Sequence, residues 1–253
     1  MEEPFALIDR LRRAACLATR MEEGERGTGD ALTRGLAPAQ LHEIHALSQG
    51  EAASGAGFAI GCALAAGARP ILWLRTEAAE RQGGRLHGPG LIAMGLDPAD
   101  LVVVVVGDDS ALLRAAADGA RCPGLGTVIA EGWGAMRGLD LTASRRLMLA
   151  AEASGVVMIL LRVAGQVVPS AATTRWAVAP APSRALAADA PGAPAYDLEL
   201  LRRRGAPAGT RWRVEWNRDT QSFDPAPLSG ARLPLVADRA AADRPPAPVR
   251  GTR

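Results

Sequence analysis

The segment GEAASGAGF, residues 50–58, has the glycine spacing of a loop that binds phosphate. Gly50 and Gly55 match the two glycines of the pattern GxxxxGK[ST], and the segment lies between a strand-like run and an Ala-rich, helix-like run. Such a loop uses Lys to reach the terminal phosphates and Ser or Thr to hold Mg²⁺. Ala56 and Gly57 stand at those two positions. With 28 glycines in the chain, the spacing also fits an incidental turn, so both interpretations stay open.

Two glutamates follow apolar runs that are typical of strands. Glu77 ends ILWLRTE and Glu131 ends GTVIAE. Ligands of open α/β sheets bind at the carboxyl ends of the strands, where an acid can position a water molecule or a metal ion. The alternative is that each acid only faces solvent at the end of its strand.

Composition limits the chemistry that the chain can perform. The protein has 253 residues and 48% hydrophobic residues, which is enough for a sizeable core. All 29 basic residues are Arg, so no segment can supply a phosphate-binding Lys or form a Schiff base. A net charge of +2 is too small to indicate nucleic-acid binding by itself.

The remaining chemical signals are weak. Cys16, Cys62 and Cys122 lie far apart without CxxC spacing, and no uncharged run is long enough to span a bilayer. We therefore expect a cytoplasmic protein with no catalytic constellation, no metal site and no bound cofactor.

Apolar runs and helix-like runs alternate from residue 38 to residue 163, which predicts an α/β fold with a mainly parallel, twisted sheet and helices on both faces. The strongest strand is LVVVVV, residues 101–106. Because its apolar residues do not alternate with polar ones, we expect it to be buried on both faces. Beyond residue 166, TTRWAVAP, LELLRRRG and TRWRVEWN predict antiparallel strands, the last two forming a hairpin across APAG.

The domain organisation follows from the same pattern. We predict an N-terminal amphipathic helix over residues 1–22, a polar linker over 23–37, one domain over 38–223, and a disordered tail over 224–253. The tail is rich in Pro, Ala and Arg and shows no periodicity.

The C-terminal hairpin is a candidate surface for a partner or for DNA. Trp212 and Trp216 share one face of their strand, and Arg211 and Arg213 share the other. The preceding strand ends with three arginines: Arg202, Arg203 and Arg204. The hairpin could contact a nucleic-acid backbone or an acidic strand, or the tryptophans could simply pack in the core beneath a solvated Arg face.

Arg145 and Arg146 open a helix-like run, SRRLMLAAEASG. Cations in a first helical turn oppose the helix dipole, which indicates either a nearby partner anion or an internal ion pair.

The order of blocks resembles the core of the recombinase RecA. The resemblance rests on LHEIHALSQGEAASGAGFAIGCALAA, PILWLRTE, GLDPADLVVV and ALLRAAADGARCPGLGTVIAE. It implies a RecA-like fold, with Glu77 where that family keeps its water-activating glutamate and Glu131 where it keeps an aspartate. Ala56 and Gly57 depart from the family, so the resemblance does not imply an ATPase.

A second resemblance is closer. The segments HGPGLIAMGLDPADL, DLTASRRLMLAAEASG, PSAATTRWAVAPAPS and LELLRRRGAPAGTRWRVEWNRD are similar to the ImuA family, over roughly residues 38–223. That family has a RecA-like fold with a degenerate phosphate loop. The resemblance implies a non-catalytic accessory factor of SOS-induced, error-prone translesion DNA synthesis. It also implies two partners, an ImuB-like relative of Y-family polymerases and an error-prone C-family polymerase, with RecA as a further candidate.

Two other functions remain open at this stage. One is a RecA-like switch that binds ATP without hydrolysing it, through the amides of residues 50–57 and through Glu77 and Glu131. The other is a DNA-binding subunit that uses the Arg-rich hairpin.

Overall fold

The computed structural model of the protein describes residues 36–204 and 207–226. The N-terminal helix and nearly all of the linker that the sequence predicts lie outside these residues, as does the tail from residue 227 onward. The strand Ser222–Pro225 extends two residues into the segment that we expected to be tail. Within the described segments, no helix is long and apolar enough to cross a membrane.

The described residues form one nine-stranded sheet with helices on both faces. Its strands are β1 (Gln40–Ala46), β2 (Ile71–Thr76), β3 (Leu101–Val106), β4 (Thr127–Trp133), β5 (Val157–Val163), β6 (Thr174–Pro180), β7 (Ala195–Arg203), β8 (Arg211–Asn217) and β9 (Ser222–Pro225). The helices are α1 (Ala52–Ala65), α2 (Glu77–Gly83), α3 (Gly88–Ala93), α4 (Asp109–Ala120) and α5 (Leu141–Ser154).

The sheet order is β3-β2-β4-β5-β1-β6-β7-β8-β9. The strands from β3 to β6 are parallel, and β7, β8 and β9 continue the sheet in antiparallel pairs. The mainly parallel sheet and the β7–β8 hairpin confirm the predicted fold class. TTRWAVAP forms β6, which is parallel to β1 and antiparallel to β7.

Two apolar layers hold the helices to the sheet. On one face, Phe58 of α1 packs in an aromatic cluster with Trp176, Tyr196 and Phe223, at ring-centroid distances of 5.1 to 6.1 Å. On the other face, α4 and α5 pack through residues such as Leu112 and Leu147. Because β5 is covered on both faces, consecutive residues of this strand enter opposite layers and all are buried.

The ends of α4 and α5 have clear sequence causes. Asp108 and Asp140 accept hydrogen bonds from the N–H groups of Ala111 and Ala143, each at 2.7 Å, and so cap the two helices. Gly155 ends α5 in the left-handed conformation, with φ of 86°.

The prediction that LVVVVV is buried on both faces is wrong. This run is β3, the edge strand of the sheet, and the side chains of Val102 to Val105 are between 37% and 49% exposed. The physical reason is position: β2 is the strand with which β3 pairs in the described part of the chain, and α4 packs over β2 and β4 rather than over β3.

Candidate functional site

The segment GEAASGAGF forms a tight turn and a helix in place of an open phosphate loop. Gln49–Glu51 makes one 3₁₀ turn, and α1 begins at Ala52. Ala56 and Gly57 therefore lie inside α1, where backbone N–H groups donate to carbonyl oxygens of the preceding turn. Their amides are not presented to a ligand as the amides of a phosphate loop are.

The start of this helix already holds a carboxylate. Glu51 accepts a hydrogen bond from the backbone N–H of Ser48, with 3.0 Å between Ser48 N and Glu51 Oε2. A helix N-terminus attracts anions because of its free N–H groups and its dipole. Glu51 is the residue before α1 and makes no capping hydrogen bond to that helix, but its negative charge near the helix start would disfavour an incoming phosphate.

The later glycines of the segment allow close packing. A Cβ atom on Gly55 would lie 3.0 Å from Leu161 Cδ1 and 3.2 Å from Ala46 Cβ. A Cβ atom on Gly57 would lie 2.5 Å from the hydroxyl oxygen of Tyr196, which is itself buried between aromatic rings. These glycines let α1 approach the sheet, a role that the sequence pattern does not distinguish from phosphate binding.

Glu131 is buried and its carboxylate is fully engaged by the chain itself. Its Oε2 accepts from Trp73 Nε1 at 2.8 Å, and its Oε1 accepts from Trp133 Nε1 at 2.7 Å and from Arg75 Nη2 at 3.1 Å. Arg75 is the neighbour of Glu131 across β2 and β4, and its Nη1 also donates to the carbonyl of Gly84 at 2.8 Å. The geometry is that of a structural anchor between two strands.

Glu77 lies in different surroundings from Glu131. It is the first residue of α2, its side chain is 63% exposed, and Oε2 lies 3.6 Å from Arg81 Nη1. An exposed pair of this kind contributes little to stability. Glu77 is thus exposed to solvent, whereas Glu131 is buried.

A surface pocket of about 580 Å³ lies beside α1, over the Glu131 anchor. Of the predicted nucleotide positions, Ala56, Gly57 and Glu131 line it, whereas Gly50, Gly55 and Glu77 do not. Its walls include Trp73, Trp133 and Tyr196. The indole N–H groups of both tryptophans donate to Glu131, and so does Arg75. These hydrogen-bonding groups are therefore already used within the protein.

The hairpin arginines are paired with acids across the strands. Arg213 makes two hydrogen bonds to Asp197, at 2.7 and 2.8 Å, and Arg211 lies 2.8 Å from Glu199. The β7–β8 register places these pairs side by side. Their charges are neutralised within the sheet face, which favours the interpretation of a solvated, self-paired surface.

The hairpin tryptophans belong to the core side of the sheet. Trp216 is buried and donates from Nε1 to the carbonyl of Met94 at 2.9 Å, and the ring of Trp212 lies 5.6 Å from that of Trp176. The alternation of side chains along the strand predicts that both tryptophans share one face of it. In the structure, that face is the one turned toward α1.

The three arginines at and just after the end of β7 make different contacts within the protein. Arg202 Nη1 donates to the carbonyl of Ser170 at 2.9 Å, and the backbone N–H of Arg204 donates to the carbonyl of Thr173. Arg203 also takes part in an interaction within the protein. Arg145 and Arg146 are both exposed on α5.

Comparison with known proteins finds a protein of similar sequence and a structure of similar fold. No family model matches the chain. It is 33% identical over 158 residues to Protein ImuA from two strains of Caulobacter vibrioides. The match covers 58% of this chain and 54% of the relative, so the chain spans about half the length of the curated relatives it matches.

Among solved structures, the chain is similar to the RadB recombinase, with a TM-score of 0.53 over 79% of this chain and 97% of that one. At 13% identity this likeness shows the fold alone. The chain is thus similar in sequence to Protein ImuA and has a RecA-like fold.

The protein also has an arginine groove that its sequence did not reveal. We use this name for the groove of about 440 Å³ between α4 and α5. Its arginines come from three segments of the chain: Arg114, Arg121, Arg137 and Arg146. Asp118 is the acid among its lining residues, and it lies 3.1 Å from Arg121. No sequence spacing could have grouped these arginines, because the packing of α4 against α5 brings them together.

The arginine groove has the chemistry of an anion-binding surface. Guanidinium groups bind carboxylates and phosphates with two parallel hydrogen bonds. Leu113, Ala117 and Leu147 provide an apolar floor, and none of the lining residues is aromatic. Stacking of nucleic-acid bases needs aromatic side chains, so the groove fits an acidic segment with apolar residues better than it fits a single strand of DNA.

Gly57 and Gly50 give a matched test of the packing role of the glycine segment. Gly57→Thr, which installs the hydroxyl of the phosphate-loop pattern, is expected to lower the free energy of unfolding by about 1 to 3 kcal/mol through overpacking against Tyr196. Gly50→Thr is expected to change it by no more than about 0.5 kcal/mol, since the nearest atom to its Cβ is Ser48 Oγ at 3.8 Å. Urea unfolding of the two variants measures the difference, and equal values would contradict the packing role.

Proposed function

We propose that this protein is a non-catalytic accessory factor in damage-induced mutagenesis, acting through contacts with proteins of error-prone DNA synthesis. The observation that carries the proposal is that groups expected to bind a nucleotide are engaged within the chain itself. The carboxylate of Glu51 accepts from the N–H of Ser48, Gly57 is packed against Tyr196, and Glu131 is bound by three donors. The similarity to Protein ImuA supports the link to mutagenesis.

The proposed partners are an ImuB-like relative of Y-family polymerases and an error-prone C-family polymerase, with RecA as a further candidate. The arginine groove is the docking surface that we assign to an acidic segment of the ImuB-like partner. Charge complementarity supports this choice, because four arginines face one acid in the groove.

The first test is calorimetry of the full chain with ATP and Mg²⁺, with an active RecA recombinase as the positive control. We expect no saturable heat and no rise in melting temperature, because the chain has no Lys to reach the phosphates and Glu51 places a negative charge beside the start of α1. Saturable binding near one nucleotide per chain would favour the alternative of an ATP-binding switch and would overturn this part of the proposal.

The second test is co-purification with the ImuB-like partner. Reversing two charges with Arg114→Glu and Arg146→Glu is expected to lower recovery of the partner at least tenfold. The matched control is Arg85→Glu with Arg184→Glu, which changes two exposed arginines outside the groove and should leave recovery unchanged. Equal recovery in both double variants would remove the groove from the proposal.

The remaining alternative is a DNA-binding subunit. Steeply salt-dependent binding of single-stranded DNA, abolished by the groove variants and kept by the control, would favour that function over a protein contact. If variants of Arg202, Arg203 and Arg204 lost DNA binding instead, the DNA-binding site would lie on the hairpin and not in the groove.

A further inference from the structure

A cluster of charged and polar side chains lies inside the protein, on the face of the sheet opposite α1. Glu43 and His45 of β1 and Arg162 of β5 are between 1% and 3% exposed. Alternation along β5 puts Arg162 on the same face as Leu160, which belongs to the layer under α4 and α5, and the register sets His45 beside Arg162. The cluster is therefore separate from the pocket beside α1, and none of its three residues lines the arginine groove.

Arg162 is a buried cation without a partner. Its Nε and Nη1 atoms have no hydrogen bond, and its side chain has no ion pair, in the part of the chain that the structure describes. Burial lowers the pKa of Arg162, although the charge of Glu43 opposes this shift. A guanidinium nevertheless stays protonated in proteins. Because an uncompensated buried charge is strongly destabilising, the position of Arg162 calls for an anion.

The acids nearest to Arg162 are engaged with other groups. Oε2 of Glu43 accepts from Arg175 Nε at 2.6 Å and lies 3.3 Å from His45 Nε2. Asp109 accepts at 3.0 Å from a backbone N–H in the loop after β4. Glu43 thus neutralises Arg175, and the charge of Arg162 is left over.

Two acceptor atoms of the same cluster are also unpaired. Oε1 of Glu43 and Nδ1 of His45 are buried and have no hydrogen-bond partner among the described residues. A carboxylate only accepts, so the proton of a neutral His45 ring lies on Nε2, toward Glu43, and leaves Nδ1 as an acceptor. A ligand that satisfies the cluster must therefore accept from Arg162 and also donate to Glu43 or His45.

Inorganic phosphate meets both requirements. At neutral pH it carries negative charge, several acceptor oxygens and at least one proton that it can donate. Sulfate has the same tetrahedral shape but has no proton to donate at this pH. A water molecule can donate and accept, but it does not neutralise the charge of Arg162. Charge-assisted hydrogen bonds to an oxyanion are the stronger kind, so phosphate fits the unpaired atoms better than either alternative.

The loops above the cluster favour a small ligand. Gly165, after β5, and Gly134, after β4, meet over Arg162. A Cβ atom on Gly165 would lie 2.9 Å from Arg162 Nη2 and 2.7 Å from the carbonyl oxygen of Gly134. Backbone therefore lies directly against the guanidinium, which suits a free ion better than a phosphate group attached to a nucleotide or to DNA.

We propose that Glu43, His45 and Arg162 form an internal binding site for one inorganic phosphate ion. The ion accepts hydrogen bonds from Arg162 and donates a proton-mediated hydrogen bond to Glu43 Oε1 or His45 Nδ1. The site goes beyond the proposed function, because it lies apart from the arginine groove and needs no partner protein. A bound ion would connect β1 to β5 and stabilise the folded chain.

The test measures binding of phosphate to the full chain in a phosphate-free buffer at neutral pH. Equilibrium dialysis with radiolabelled phosphate should show saturable binding near one ion per chain, and the melting temperature should rise with phosphate concentration. Sulfate at equal ionic strength should compete about tenfold more weakly or less, because it leaves the buried acceptors unpaired. Equal competition by sulfate, or no saturable binding, would overturn the proposal.

Arg162→Met removes the unpaired charge and keeps a side chain of similar length. It should abolish phosphate binding, and in phosphate-free buffer it should melt no lower than the unmodified chain, because no ion pair is lost. Arg114→Gln with Arg146→Gln, in the arginine groove, is the control and should keep phosphate binding. Loss of binding in the groove variant and not in Arg162→Met would overturn the proposal. If Arg162→Met does not fold, the preference of the unmodified chain for phosphate over sulfate still decides the question.

A last comparison separates the free ion from larger phosphate compounds. Adenosine monophosphate and a short single-stranded oligonucleotide should not displace radiolabelled phosphate at concentrations at which unlabelled phosphate does. Displacement by either compound that depends on Arg162 would show that the site takes a nucleotide phosphate, and would overturn the assignment of a free ion.

Discussion

Replacing Glu131 by alanine is expected to lower the free energy of unfolding by about 3 to 5 kcal/mol, because it removes one partner of a buried ion pair. The change leaves the guanidinium of Arg75 buried without its carboxylate, and it leaves the indole N–H groups of Trp73 and Trp133 without their acceptor. Each orphaned polar group adds a desolvation cost. Urea unfolding at neutral pH measures the loss.

Glu77→Ala is the matched control for this prediction. The resemblance to RecA pairs the two glutamates as acids of one site, but Glu77 is 63% exposed. Its replacement should change the free energy of unfolding by no more than about 0.5 kcal/mol. If Glu131→Ala were as stable as Glu77→Ala, the structural role of Glu131 would be wrong and its interpretation as a site acid would regain support.

The parallel part of the fold was predictable because chain order limits topology. Alternating apolar and helix-like runs require crossover connections, and these produce a parallel sheet with covered faces. The hairpin was predictable from alternation, since Trp212 and Trp216 fall on one face of β8 at a period of two. In both cases a local pattern carries the information.

The edge position of β3 was not predictable from its own residues. A run of valines has the same sequence in the centre of a sheet and at its edge, and only the order of strands distinguishes the two. The same limit applies to charge pairing. Arg213 meets Asp197 through the β7–β8 register, which depends on where the turn falls and not on the spacing of either residue alone.

The glycine segment shows why a motif needs its structural context. Gly50 and Gly55 are five residues apart in the sequence whether the segment forms an open loop or, as here, a helix that begins at Ala52. Two features outside the pattern decide between them: the capping carboxylate of Glu51 and the hydroxyl of Tyr196 beside Gly57. Tyr196 lies far along the chain, so only the folded sheet reveals this contact.

Lowering the pH from 6.5 to 4 is expected to cost about 3 kcal/mol of stability through His42 alone. His42 is buried on β1, where Nδ1 lies 2.8 Å from the hydroxyl of Thr174 and Nε2 lies 2.9 Å from the carbonyl of Ala37. Burial disfavours the charged ring and lowers the pKa of His42 from 6.5 to about 4, although the hydrogen bond to Ala37 opposes this shift.

The sign of the effect follows from which state binds the proton first. Below pH 6.5 the unfolded chain protonates this histidine while the folded chain keeps it neutral, so the unfolded state gains free energy of protonation. The stability contributed by neutral His42 is complete above pH 6.5 and is lost as the pH falls toward 4. Glu43 acts in a lower range. Burial would raise its pKa, but hydrogen bonds from His45 and Ser170 and the nearby Arg175 lower the pKa to about 2, so its contribution is lost only below its ordinary value of 4.5.

Urea unfolding at several pH values between 6.5 and 4.5 separates His42 from the other titrating groups. His42→Gln keeps a polar side chain on β1 but cannot titrate, so its unfolding free energy should depend less steeply on pH across this range than that of the unmodified chain. His87→Gln, at an exposed histidine that caps α3, should keep the steep dependence. Parallel curves for the unmodified chain and His42→Gln would contradict the prediction. A flattened curve would identify β1, between β5 and β6, as the element whose buried imidazole makes the fold sensitive to acid.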